Sequence, residues 1–351
     1  MSDEYISYKG VLIHHLVSNS TYLSFVENEF QVLDDDVFNI TYPKTGTTWM
    51  IEILSLIRSK GDPTWTRTVP NWDRAPWIEG SDALEKFDSM SLKPRHITSH
   101  LSKKIFCRSF FSSKAKVIYT VRDPKDVLVS LYYFSKMTIF YKDPGTFEQF
   151  FELFLKGEIP YGSWFDHVNG WMELCGQSNF LLLTYDNLKQ DLRGTVEKIC
   201  KFLGEELDDK AIDLVVKHAT FENMKDNKMA NFSLLADMFD QSKSPFMRKA
   251  TPAGLPPPLT RQEMAYTLCR RSWAAIRARY QWLVDKEGQA HIPAPGQSST
   301  SQPPTPSTSW THLCQHHKQL GAAHVRTTIA YPPFRLEVPS QSAAWAGTIG
   351  P

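Results

Sequence analysis

No stretch of eighteen consecutive apolar residues occurs in the chain, and its opening, Met1-Ser2-Asp3-Glu4, leads into neither a basic segment nor an apolar one. A membrane span and a secretory leader are therefore not expected, and a cytoplasmic location is. Without a leader, the sequons at Asn19-Ser20-Thr21, Asn39-Ile40-Thr41 and Asn231-Phe232-Ser233 should stay unmodified. Charge of one sign is missing as well: 39 Lys and Arg stand against 38 Asp and Glu, a net +1. Nothing global then attracts nucleic acid or an anionic membrane, and neither is an expected partner; an anion site has to be local. Cysteine is scarce. The five present are odd in number, scattered and free of CxxC spacing, which argues against a disulfide framework and against zinc, so no metal is expected.

What the chain does have is an anion-site pattern between residues 37 and 58. Val37-Phe38-Asn39-Ile40-Thr41-Tyr42 is a β-branched and aromatic run ended by Pro43, and it reads as a buried strand. After Gly46 the apolar residues Trp49, Met50, Ile53, Leu54 and Ile57 recur at helical spacing. Between strand and helix lies Lys44-Thr45-Gly46-Thr47-Thr48. A helix start offers unpaired N–H groups and a positive dipole end, so it binds phosphate or sulfonate. Gly46 lets the backbone come close, the threonines add hydroxyl donors and Lys44 adds charge. This is not a Walker A loop, because Lys44 precedes the only glycine. An ordinary strand-to-helix turn with a solvated lysine fits these eight residues about equally well.

Two more strand-to-helix units follow. A strand over 115–121 ends in Arg122-Asp123-Pro124, and Val127, Leu128, Leu131 and Tyr132 continue at helical spacing with Ser130 among them. Arg122 either faces a ligand beyond the strand's carboxyl end or pairs with Asp123 or Asp126. A third strand over 179–185 ends at Tyr185, followed by a helix whose stripe Val196, Ile199, Cys200 and Leu203 stops at Gly204. Strands alternating with helices imply an α/β fold, a central parallel sheet covered on both faces. The segment 62–77 holds three tryptophans and three prolines and cannot be one long helix. Trp65 reads as core, Trp72 and Trp77 as the wall of an apolar ligand site. His96 and His100 share a strand-like run, where each by itself reads as structural. Residues 1–36 read as a lead-in with one helix over 22–30. After Ala250 the composition shifts: 13 of the 22 prolines lie there. One basic helix is expected over 260–285 and disorder beyond Gly288.

Taken together, Tyr42-Pro43-Lys44-Thr45-Gly46-Thr47-Thr48-Trp49, the run 111–119, Arg122-Asp123-Pro124-Lys125-Asp126-Val127-Leu128-Val129-Ser130, Tyr161-Gly162-Ser163-Trp164-Phe165-Asp166-His167 and Asn227-Lys228-Met229-Ala230-Asn231 resemble the cytosolic sulfotransferases, most closely the hydroxysteroid (alcohol) branch. The resemblance implies a single-domain, P-loop-like α/β fold and 3′-phosphoadenosine 5′-phosphosulfate (PAPS) as sulfuryl donor, without a metal. It assigns Lys44, Thr45, Gly46, Thr47 and Thr48 to the 5′-phosphosulfate, and Arg122, Ser130, Arg248 and Lys249 to the 3′-phosphate. Trp49 and Phe221 would sandwich the adenine, with Tyr185 and Met224 completing the nucleotide site. His100 becomes the general base, Lys44 stabilises the leaving oxygen, and Ser130 holds Lys44 back until acceptor binds. Trp72, Trp77, Tyr133 and Phe134 would line a pocket for a steroid or another hydrophobic alcohol.

The chain departs from the family in three places. Arg248-Lys249-Ala250 stands where the family has Arg-Lys-Gly, and the text after it carries neither the closing segment nor the dimer motif, so a homodimer is not implied. Leu101-Ser102 replaces Leu-Pro after His100, and Ala219 replaces a hydroxyl residue. The expected domain is thus residues 1–250, C-terminally incomplete, with 251–351 as a Pro/Ser/Thr-rich tail. A non-catalytic isoform that binds nucleotide weakly is the alternative to an enzyme. A P-loop kinase fits less well, lacking Walker A and an evident magnesium carboxylate.

Overall fold

The computed structural model describes residues 4–90 and 92–248; Lys249, Ala250, the helix expected over 260–285 and the expected tail lie outside them. Four parallel strands make the central sheet: β3 (Val37–Thr41), β4 (His96–Ser99), β5 (Lys116–Val121) and β6 (Phe180–Thr184), in the order β4-β3-β5-β6. Ahead of them β1 (Tyr5–Tyr8) and β2 (Val11–His14) form an antiparallel hairpin. The lead-in was expected to hold only a helix. The hairpin turns at Lys9 and Gly10, both with positive φ, between short β-branched and aromatic runs.

Twelve helices are described: α1 (Ser20–Asn28), α2 (Thr47–Arg58), α3 (Thr64–Thr68), α4 (Asn71–Arg74), α5 (Ala83–Ser89), α6 (Pro124–Met137), α7 (Phe147–Lys156), α8 (Trp164–Met172), α9 (Tyr185–Gln190), α10 (Leu192–Leu203), α11 (Asp209–His218) and α12 (Phe221–Asp226). Their ends follow local chemistry. Asp123 caps α6 ahead of Pro124, Thr146 and Gln149 form a capping box on α7, and Gly204 closes α10 in the left-handed region. The Trp/Pro segment breaks into α3 and α4, as its prolines require. Arg74 of α4 is fully buried and donates to Glu52 of α2 at 2.7 Å, which pins this segment to the loop-bearing helix. Among the described residues no helix is long and apolar enough to cross a membrane.

The sheet separates two apolar clusters, and the strand period of two sorts residues between them. Phe38, Ile40, Val117 and Tyr119 face a cluster with Phe106, Trp164 and Trp171; Val37 and Ile118 face one with Met50, Ile53, Ile199 and Val215. Near the amino ends of β3 and β4 a buried ion pair ties the strands together. Asp36 accepts from Arg95 Nε at 2.7 Å and from its Nη2 at 2.5 Å, while Val37 donates its N–H to the Arg95 carbonyl at 2.9 Å. Removing one partner leaves the other charge buried alone. Asp36→Ala should therefore cost about 3–5 kcal/mol in urea unfolding, and adding Arg95→Leu should recover part of it.

Candidate active site

All four central strands run in one direction, so their carboxyl ends share one edge, and each hands a residue to the same place. β3 leads to Lys44, β4 to His100, β5 to Arg122 and β6 to Tyr185, all lining one cavity of about 680 Å³. The loop after β3 is held open from below. Lys44 and Gly46 take φ of +69° and +109°, and a Cβ built on Gly46 would stand 3.1 Å from the Tyr185 ring. Thr45 does not line the cavity; its buried hydroxyl donates to the Tyr42 carbonyl at 2.7 Å, with the Thr120 carbonyl 3.2 Å away. Thr47 shares a 2.6 Å hydrogen bond with Thr41. No side chain caps the start of α2, so its N–H groups are presented to the cavity wall.

Three cations gather there with little to neutralise them. Lys44 Nζ sits 4.3 Å from the Phe134 ring and 4.4 Å from that of Phe246, and no carboxylate pairs with it among the described residues. Burial, with repulsion from Arg122 and Arg248 added, brings its pKa down to about 7. Arg122 donates to the Lys44 carbonyl at 3.1 Å and lies 4.2 Å from the Tyr185 ring. Its ion pair with Asp126, the alternative reading of this residue, is present but long at 3.7 Å, and Nε is buried without a partner. Arg248 stacks 4.5 Å over Tyr133. Tyr133 thus supports a cation and does not line the cavity.

His100 is fixed at three of its own atoms. Nδ1 lies 2.8 Å from the Thr41 carbonyl, which can only accept, so the proton is on Nδ1 and Nε2 is the free base. Its N–H donates to Glu79 Oε1 at 2.8 Å, and its carbonyl accepts from His167 Nε2 at 3.2 Å. Tyr119 donates to Nδ1 of the same His167 at 3.0 Å. Burial, opposed by the Thr41 hydrogen bond and aided by Lys44, lowers the His100 pKa to about 4. His96, the first residue of β4, faces Val37 in register and is buried, the structural role its run suggested.

The remaining wall is apolar. Trp72, Trp77, Phe134 and Phe140 join Phe232, Phe239 and Phe246 in one cluster, with Trp77 6.1 Å and Tyr161 5.2 Å from His100. Trp49 anchors its indole N–H on the Ala219 carbonyl at 2.8 Å and meets Tyr185 edge to face at 5.6 Å. Ser130, Phe221 and Met224 line the same cavity. The sequence alone missed Tyr161, Phe232, Phe239, Phe246 and Glu79. The first four lie in irregular segments without periodicity, where only aromatic density could have signalled them.

A sulfotransferase domain model matches residues 34–266. The chain belongs to the sulfotransferase family. It is 48% identical over 249 residues to sulfotransferase 2A1 of Macaca fascicularis, covering 71% of this chain and 87% of that protein. Human sulfotransferase 2B1 is 52% identical over 250 residues, 70% and 67% of the two chains. The 3-beta-hydroxysteroid sulfotransferase of Cavia porcellus is 48% identical over 250 residues, 71% and 86%. Among solved structures, mouse sulfotransferase SULT7A1 complexed with PAP superposes with a TM-score of 0.64 at 26% identity, over 80% of this chain and 99% of that one. The sulfotransferase described here is therefore an enzyme of the transferase class, and the α/β fold implied by the resemblance is the one observed.

Lys44 gives the site a measurable signature. In ¹³C NMR of the reductively methylated protein its resonance should titrate near pH 7, well below the other lysines, and a bound polyanion should raise that midpoint because it outweighs the repulsion from Arg122 and Arg248.

Proposed function

We propose that this sulfotransferase transfers a sulfuryl group from PAPS to the hydroxyl of a hydrophobic alcohol, a hydroxysteroid in particular. One observation carries the reading: a free imidazole nitrogen on His100 borders an aromatic cavity that also holds Lys44, Arg122 and an uncapped helix start. A nucleotide with phosphates at both ends suits this set. It would satisfy the orphaned Arg122 Nε and the free N–H groups of α2 and neutralise Lys44. The relative named as a 3-beta-hydroxysteroid sulfotransferase and the neighbour complexed with PAP support the same acceptor and donor.

In this reading Lys44, Gly46, Thr47 and Thr48 hold the 5′-phosphosulfate and Arg122, Ser130 and Arg248 the 3′-phosphate. Lys249, outside the described residues, keeps the same assignment. Trp49 and Phe221 flank the adenine beside Tyr185 and Met224. Thr45 shapes the loop through its backbone contacts and does not touch the donor. Trp72, Trp77 and Phe134 enclose the acceptor with Phe232 and Phe239.

The donor supplies the sulfuryl group, and this chain's residues do the rest. His100 Nε2 takes the hydroxyl proton as the acceptor oxygen forms its bond to sulfur. Lys44 stabilises the charge that develops on the phosphate oxygen as its bond to sulfur breaks. Ser130 restrains Lys44 until the acceptor is seated. Aromatic walls exclude water from the reacting atoms.

Isothermal calorimetry should show PAP binding to wild type and to His100→Ala alike. Sulfation of a hydroxysteroid by the variant should fall at least about a hundredfold, the usual cost of losing a general base. A folded chain that does not bind PAP would sink the reading. We also propose that residues 1–250 form the catalytic domain and 251–351 a separate tail. Limited trypsin digestion, followed by mass spectrometry, should leave a stable core ending shortly after residue 250, and protection across the tail would contradict the division.

A further inference from the structure

The mechanism leaves one buried charge without a task. Glu79 is 0% exposed, and no Lys, Arg or His pairs with its carboxylate among the described residues. Both oxygens are spent on two consecutive residues. Oε1 accepts the His100 N–H at 2.8 Å, and Oε2 accepts the Ser99 hydroxyl at 2.9 Å. Ser99 Oγ in turn accepts the Leu101 N–H at 3.0 Å, so the carboxylate reaches the backbone on both sides of His100. The chain just ahead of Glu79 is itself laid along β4. Ile78 donates to the Thr98 carbonyl and Thr98 to the Pro76 carbonyl, each at 2.9 Å.

Such an arrangement is costly as structure. A carboxylate with no cation beside it pays for desolvation, and burial raises the Glu79 pKa to about 7 against the hydrogen bonds from His100, Ser99 and its own N–H. A neutral amide could accept only one of the two hydrogen bonds from His100 and Ser99, because its nitrogen donates, whereas the carboxylate accepts both. The anion also adds a negative charge next to the residue that must become an imidazolium.

We propose that Glu79 is a positioning residue for His100: its carboxylate clamps the Ser99–Leu101 backbone so that Nδ1 stays on the Thr41 carbonyl and Nε2 stays free, and its charge offsets that of the imidazolium. This rests on the sulfotransferase reading of His100 and deepens it. The other titratable groups that interact electrostatically with the carboxylate are Tyr22 of α1, Cys107 and Tyr161, none of them cationic.

The test compares wild type with Glu79→Gln, which keeps the shape and removes the charge, and with Glu79→Ala. Long-range ¹H–¹⁵N spectra, with His100→Ala locating the resonance, report the His100 tautomer without any turnover. Wild type should show a single Nδ1–H form, and both variants a mixture. The kcat for a hydroxysteroid should fall about ten- to a hundredfold, with the affinity for PAP and the acceptor KM within twofold. Thermal stability separates this from a merely structural role. The raised pKa makes the wild-type ion a cost to the fold that is fully present above pH 7 and relieved as protonation proceeds below it, so the melting temperature of Glu79→Gln should match or exceed wild type at pH 8 and gain on it as pH rises from 5 to 8. Unchanged kcat with an unchanged His100 tautomer overturns the proposal, and so does a Glu79→Gln protein that melts earlier at pH 8 and loses PAP affinity in parallel. A wild type that binds PAP yet sulfates nothing defeats the sulfotransferase reading instead, and the tautomer spectra then decide the part played by Glu79 on their own.

Discussion

Parallel pairing is the constraint on which the rest of this molecule depends. A parallel sheet must bury both faces, so its strands are largely buried and carry chemistry where they end. Here β3 pairs with β4 and β5, and β5 with β6, all in one direction. Lys44, His100, Arg122 and Tyr185 are the residues that leave the sheet at that edge. Their convergence needs no long-range attraction among them, and two of the four, Lys44 and Arg122, repel one another as cations.

That repulsion is contained by what surrounds it. Lys44 lies between two aromatic faces, Arg122 against Tyr185 and Arg248 against Tyr133, so ring quadrupoles stand where carboxylates would otherwise be. A carboxylate would satisfy the cations permanently and compete with an anionic ligand. Aromatic faces lower the cost of burial without neutralising the charge. The same rings continue into the apolar wall, so Phe134 and Phe246 join the cationic side of the cavity to its apolar side.

Legibility in the sequence followed locality. β3, α2, β5 and the start of α6 could be read within one or two residues, because alternating apolar runs and a Pro or Gly at the junction decide them over a few positions. The resemblance to the sulfotransferases rested on the same local stretches, and the family is the one the chain belongs to. The hairpin of β1 and β2 was missed because two four-residue strands carry too little periodicity to stand out. The region of 221–225 and 231–235 was not assigned for a different reason. Its geometry comes from contacts such as the Asn71 N–H on the Met229 carbonyl and the Asp240 N–H on the Met137 carbonyl, which join positions far apart in the chain.

By itself the sequence determined the strand-to-helix junctions, including the one that carries Lys44 and Gly46, and the near-balance of charge over the whole chain. Only the tertiary structure decided that Thr45 and Tyr133 turn away from the cavity, that Phe232, Phe239 and Phe246 close it, and that Glu79, His167 and Thr41 hold His100 by three different atoms. Those outcomes depend on which buried donors meet which acceptors once the strands are in register, and a polar group withdrawn from water must find its partner wherever the fold has placed one.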